Sequence, residues 1–249
     1  MFQTKSYDVA DLPEDELRTL IGTFFGHIIM HYGMWFTEAS MKLGAAKALE
    51  FEHSVAQRHF KIALTRLAPH FNIEIKDGIP EVLLRKSREE LLLLLGDISK
   101  TWVTGDGLWF QAIEGSEGMD TAKLVNDSCW SLFARLEAFK IKSFLGTETE
   151  GALEILEKAL RLRVYSSLNA HSAEWDTEGN LIFYMTGCRV QEARRRKQMD
   201  DYPCKSAGIT EYTEFALGMD PAIITECLWC PPDRVPDKLF CAWKFSLKK

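Results

Sequence analysis

No stretch of this 249-residue chain is apolar for long enough to cross a bilayer. The longest run, Leu91 to Leu95, is far short of the roughly 20 residues that a spanning helix needs, so no membrane partner is expected. The opening residues, Met1 to Asp11, carry acids early and lack the apolar core and small-residue cleavage site of a secretory signal, so a cytoplasmic location is the expectation. Concentrated basic charge is missing too. The net charge is −6, the wrong sign to grip phosphates, and nucleic acid is not an expected partner. A Gly-rich phosphate loop, a dinucleotide fingerprint, a Gly-x-Ser-x-Gly elbow and a His-Glu-x-x-His pair are all absent, which removes support for common nucleotide and hydrolase chemistries.

What is present suffices for a large core, since 46% of the residues are apolar. Apolar residues recur at three- and four-residue spacing over 14–29, 45–67, 87–103, 121–145 and 151–164, which predicts helices there. Asp11-Leu-Pro-Glu14 and Ser87-Arg-Glu-Glu90 each place a capping acceptor three residues before a Glu. The first two helical segments repeat without a gap at an offset of 74. Gly33-Met-Trp-Phe36 recurs as Gly107-Leu-Trp-Phe110, and Leu20, Gly22, Gly44 and Ala48 recur as Leu94, Gly96, Gly118 and Ala122. Gly33 and Gly107 are expected to break their helices ahead of the aromatic pair. The copies differ in polarity, with Asp106, Gln111 and Glu114 where the first has Tyr32, Thr37 and Ser40.

From Tyr165 the period changes. Strand-like segments at 165–175 and 181–185 flank a Gly-Asn turn, two helices follow at 190–199 and 207–217, and strands at 222–229 and 239–247 end the chain. The expected fold is α+β: a helical N-terminal region with an internal repeat, residues 1–86, then residues 87–249 as a four-stranded antiparallel sheet covered by helices on one face.

Five of the six cysteines lie in the last quarter: Cys188, Cys204, Cys227, Cys230 and Cys241. In a reducing compartment such a cluster points to metal ligation or thiol chemistry before cross-linking. Cys227-Leu-Trp-Cys230 offers two thiols to one ion and Cys241 a third across the hairpin. Cys204 or Cys188 supplies the fourth, for zinc or alternatively an iron–sulfur cluster. Cys204 is placed in the metal set. Cys188 stands at a helix entrance, where the dipole would lower its pKa, and is the candidate nucleophile. Inert buried thiols are the alternative. Asp106, Trp109, Phe110 and Gln111 combine aromatic and polar groups suited to a ligand pocket or, equally, to helix packing. His27, His31, Glu50 and His53 have metal-like spacing, but the repeat holds no matching half, and ordinary histidines are expected. Arg194-Arg-Arg-Lys197 is read as a solvated helix face ahead of an anion site.

Asp106-Gly-Leu-Trp-Phe-Gln111, Cys188-Arg-Val-Gln-Glu-Ala-Arg194, Tyr202-Pro-Cys-Lys-Ser-Ala-Gly208, Cys227-Leu-Trp-Cys-Pro-Pro-Asp233 and Cys241-Ala-Trp-Lys-Phe245 together resemble a family of uncharacterised cytosolic proteins of anaerobic bacteria and archaea, from about residue 87 onward. More distantly, Cys188 and the final Cys241-Ala-Trp-Lys-Phe245 strand resemble the L-2-amino-thiazoline-4-carboxylic acid hydrolase-like group and the vinyl-4-reductase ligand-binding domains. That resemblance implies a pocket for a small, often hydrophobic ligand between sheet and helices, with zinc beside the C-terminal hairpin. Three functions follow as expectations: a small-molecule-binding protein with a Cys-ligated metal, a cysteine- or metal-dependent hydrolase of a small sulfur- or nitrogen-containing substrate, and a partner-binding scaffold. A small organic ligand is the expected partner, and a homodimer is compatible with each.

Overall fold

The computed structural model describes residues 13–146, 151–234, 236 and 239–248. The helices are α1 (Glu14–Leu43), α2 (Ala45–Leu67), α3 (Glu81–Leu84), α4 (Arg88–Glu117), α5 (Met119–Leu145), α6 (Ala152–Leu160), α7 (Arg189–Arg196) and α8 (Lys205–Met219). The strands are β1 (Ile75–Lys76), β2 (Ile79–Pro80), β3 (Ala170–Trp175), β4 (Leu181–Gly187), β5 (Ile223–Trp229) and β6 (Cys241–Leu247). Contacts divide the chain into two units, Met1–His59 and Phe60–Lys249. The sequence boundary at 86/87 marks a different event, the start of the second repeat copy.

Both copies begin a 30-residue helix, α1 and α4, and both end it at a glycine, not at the expected one. Gly33 and Gly107 lie inside their helices, where the backbone hydrogen bonds of a long helix outweigh the roughly 1 kcal/mol that one glycine costs. The break falls eleven residues later, at Gly44 (φ 87°) and Gly118 (φ 85°), a left-handed-side φ that a Cβ would disfavour. The joints match bond for bond. Gly44 N–H donates to Ser40 O at 3.1 Å and Gly118 N–H to Glu114 O at 3.0 Å. Ala48 and Ala122 then donate to the glycine carbonyls, and each is 1% exposed. The Ser87–Glu90 capping box forms as expected; Asp11, the other cap acceptor, lies outside the described residues.

In the second unit the sheet order is β3-β4-β6-β5, antiparallel throughout, as the sequence predicts. β3 starts later than expected because Ser166–Leu168 forms a 3-10 turn. A two-stranded ladder, β1–β2, turns through Asp77 and Gly78, both at positive φ, and was not expected. Alternation sets one face of the sheet on the core: Leu181, Phe183 and Met185 from β4, Trp243 and Phe245 from β6, and Ile223 from β5, against Leu156 of α6 and Phe215 of α8. Tyr184 points the other way and donates to Glu174.

α5 and α8 pack closely because small residues face each other. Ala134 and Ala138 of α5 and Ala216 of α8 are fully buried, and a Cβ on Gly218 would lie 2.7 Å from the Ala138 Cβ. Gly218→Ala should therefore destabilise the fold by about 1–2 kcal/mol, because overpacking against a fixed helix exceeds the gain in helix propensity. Gly96→Ala in α4, whose added methyl would meet nothing within 4 Å, should instead be neutral or stabilising in the same denaturant titration.

Candidate functional site

A cavity of about 580 Å³ opens between α4, α5, α7, α8 and the ends of β4 and β6. α4 contributes the stripe Trp102, Asp106 and Phe110, one helical turn apart, with Gln111 beside it. Trp109, chosen from the sequence with these three, does not line the cavity. It is 66% exposed and borders a smaller hollow that shares Asp106 and Phe110. One residue along a helix is a rotation of about 100°, so a contiguous segment cannot face one site.

Four of the C-terminal cysteines meet the cavity: Cys188, Cys204, Cys230 and Cys241. Cys227 does not. Its thiol, pushed up to about 11 by burial, neighbours Lys205 and Asp233. β5 carries a register irregularity between Cys227 and Trp229, and the spacing alone does not reveal which way each thiol turns. The structure thus brings Cys204, Cys230 and Cys241 of the expected metal set to one wall, with Cys188 in place of Cys227. Cys230 is 1% exposed, and its thiol is held far above its ordinary value by side-chain interactions with Cys204 and Cys241 and by burial. Gln191 Nε2 donates to Cys204 Sγ at 3.1 Å, and Trp243 Nε1 to Cys241 Sγ at 3.3 Å. The donor chemistry suits zinc, yet among the described residues no three His, Cys, Asp or Glu side chains gather around a point that could hold a metal ion.

Cys188 is the N-cap residue of α7, as expected, and the backbone N–H groups of Gln191 and Val190 favour its thiolate. Burial outweighs them and pushes the thiol up to about 12. The helix entrance alone does not bring this thiol below its ordinary value.

Tyr202 and Cys204 reach the cavity on a loop that Gln191 holds. Its amide, 1% exposed, accepts from Tyr202 N–H at 2.8 Å and donates to Tyr202 O at 2.7 Å. From α5, Lys123 donates to Pro203 O at 2.6 Å and lies over the Tyr202 ring, which meets Phe110 edge-on at 5.1 Å. The arginine run of α7 is mainly a solvated face: Arg195 forms a forked pair with Asp201, and Arg194 donates to Asp200 O. Among the histidines, His53 bonds Gln57 and is not part of a metal group; the side chain of His27 lies outside the described residues.

The inner wall rests on a buried ionic network that the sequence analysis missed. Arg163 donates to Glu137 of α5 at 2.8 Å and to Glu211 of α8 at 2.6 Å, with its side chain 1% exposed. Tyr165 also donates to Glu211, and Val164 N–H to Glu137 at 2.6 Å. Burial raises the Glu211 pKa. The rings of Trp130, Tyr165, Tyr212 and Phe215 surround the guanidinium. Tyr165, Glu211 and Tyr212 in turn line the cavity. No local pattern in the sequence marks it, since Glu137, Arg163 and Glu211 are far apart along the chain.

Helices and sheet of this α+β domain thus border an aromatic, thiol-rich cavity. The chain belongs to DUF6125, a family of unknown function that matches residues 84–247, from the end of α3 to the end of β6. No curated protein matches the chain, and no solved structure does. The likeness to the thiazoline-carboxylate hydrolase and vinyl-4-reductase groups therefore rests on sequence motifs alone. No described helix is long and apolar enough to cross a membrane.

Arg163→Met should cost about 3–5 kcal/mol in urea unfolding at pH 8, because it strands two buried carboxylates. Without the guanidinium the Glu211 carboxyl, already raised by burial, would have a folded pKa further above its unfolded one, a penalty present at high pH and relieved as it protonates. The deficit should shrink between pH 8 and pH 5. A cost under about 1 kcal/mol, or one that does not vary with pH, would show the network to be dispensable.

Proposed function

We propose that this protein binds a small organic molecule in the cavity between its sheet and helices. One observation carries the reading: about 580 Å³ of space, within the range of small-molecule sites, bordered by Asp106, Phe110, Gln111 and four cysteines that lie far apart in sequence. Free thiols on that wall suit a reducing compartment. Hydrolysis with Cys188 as nucleophile has less behind it, since burial raises its thiol where an activated nucleophile needs it lowered.

The test is a thermal-shift screen of drug-sized compounds against wild type and Ala207→Phe. Ala207 lines the cavity and is 6% exposed, so a ring added there occupies ligand space. At a hundredfold excess over Kd a ligand adds about 2.7 kcal/mol, or roughly 5–10 °C for a chain of this size. Hits should raise the wild-type melting temperature by that amount and leave the variant unmoved. Equal shifts in a correctly folded variant would place binding elsewhere and reject the reading.

A soft metal on the thiol wall is the second reading, favoured by the Cys230 thiol lying beside both Cys204 and Cys241. Cys188 would join these three, and the ion would supply a Lewis-acidic point facing the ligand space. Elemental analysis of protein purified without chelator should then find about one zinc per chain, lost in Cys230→Ser. Metal-free, fully folded protein removes this reading and leaves ligand binding untouched.

A further inference from the structure

We propose that the ligand carries a cationic nitrogen on an apolar body and that Asp106 is its counter-ion, an inference that rests on the ligand-binding reading above. Asp106 is half-buried in α4, between Trp102 and Phe110, and borders both the main cavity and the adjoining hollow. Its carboxylate has no hydrogen bond or ion pair among the described residues. Burial alone acts on it, raising its pKa. A helix interior offers no structural reason to hold an unpaired acid among aromatic rings, and such a group is a candidate for binding.

The bases nearby do not neutralise it. Lys123 is spent on Pro203 O and the Tyr202 ring. Arg194 donates to Asp200 O, while Arg189 and Lys197 are exposed where α7 meets the cavity. The other titratable groups around Asp106 carry no positive charge: Cys129 is raised by its field, and Tyr202 feels both Asp106 and Asp127.

The second carboxylate on the lining, Glu211, shares Arg163 with Glu137, so two acids face one base at the inner wall. Arg189, Arg194 and Lys197 line the α7 side of the cavity, so it is at the α4 wall that an anion would meet Asp106 with no base bonded to that carboxylate. An ammonium group at that wall would meet the Asp106 carboxylate, and the rings of Trp102 and Phe110 beside it add a cation–π contribution. The thiols and Met185 complete a soft, apolar floor for the ligand body.

Three probes with one indole body and different ends test this by calorimetry: tryptamine, tryptophol and indole-3-propionate. Tryptamine should bind the wild type at least about tenfold tighter than tryptophol, with indole-3-propionate weakest. Asp106→Asn should erase the tryptamine advantage while leaving tryptophol binding unchanged, and Asp106→Glu should retain it. Both variants should melt close to the wild type, because Asp106 has no partner to lose. Tryptophol or indole-3-propionate binding as tightly as tryptamine would overturn the inference, as would a preference that survives in Asp106→Asn. Either result leaves the cavity reading intact. Absence of binding by all three up to millimolar concentration also overturns it, and the Ala207→Phe screen then decides the cavity reading separately.

Discussion

Arg163 is the point on which the second unit turns. A buried guanidinium is tolerable only when its charge is met in place, and here it is met by Glu137 of α5 and Glu211 of α8, within hydrogen-bond distance of both. The same Glu137 takes the Val164 N–H, so the chain leaving α6 is fixed to α5 just before it enters the sheet. One side chain thereby ties two long helices to the strand connection. Three of the rings around it, Trp130, Tyr165 and Tyr212, also line the cavity. The stability of the domain and the shape of its pocket depend on the same charge balance.

Around that centre the packing leaves little latitude. Small residues let α5 and α8 approach, and Gly208 of α8 faces the Trp243 ring so closely that a Cβ there would lie 2.6 Å from it. The indole of Trp243 stacks on Tyr212 at 4.6 Å and donates to Cys241. The wall formed by α8 and β6 is therefore also a core contact. Substitutions on that wall will move the Cys241 thiol as well as the space it borders.

The architecture was largely legible in the sequence because it depends on local periodicity. The antiparallel sheet, the capped start of α4 and the duplicated hairpin all follow from spacing, whereas the helix breaks fall at Gly44 and Gly118 instead of Gly33 and Gly107, the β1–β2 ladder is too short to show a period, and β3 starts only after a 3-10 turn. The site was legible in part. Asp106, Phe110 and Gln111 reach the cavity, but Trp109 was selected by adjacency where the helical turn selects Trp102. Cys227, which the Cys-x2-Cys spacing places in the metal set, lies off this cavity, at the irregular end of β5. Arg163, Glu137 and Glu211 lie 26 and 48 residues apart along the chain, and nothing local marks charges that become acceptable only once folding has paired them.

The duplicated hairpin supplies the molecule with its own control experiment. Both copies keep the glycine joint and the buried alanine after it, so those are what two long antiparallel helices demand of a sequence. At the position of Asp106 the first copy has Tyr32, whose hydroxyl donates to Glu52 at 3.1 Å. The same scaffold folds with an ordinary, satisfied residue there. The lone carboxylate of the second copy is thus no requirement of the helix that carries it, and its reason for being there must be sought in what enters the cavity.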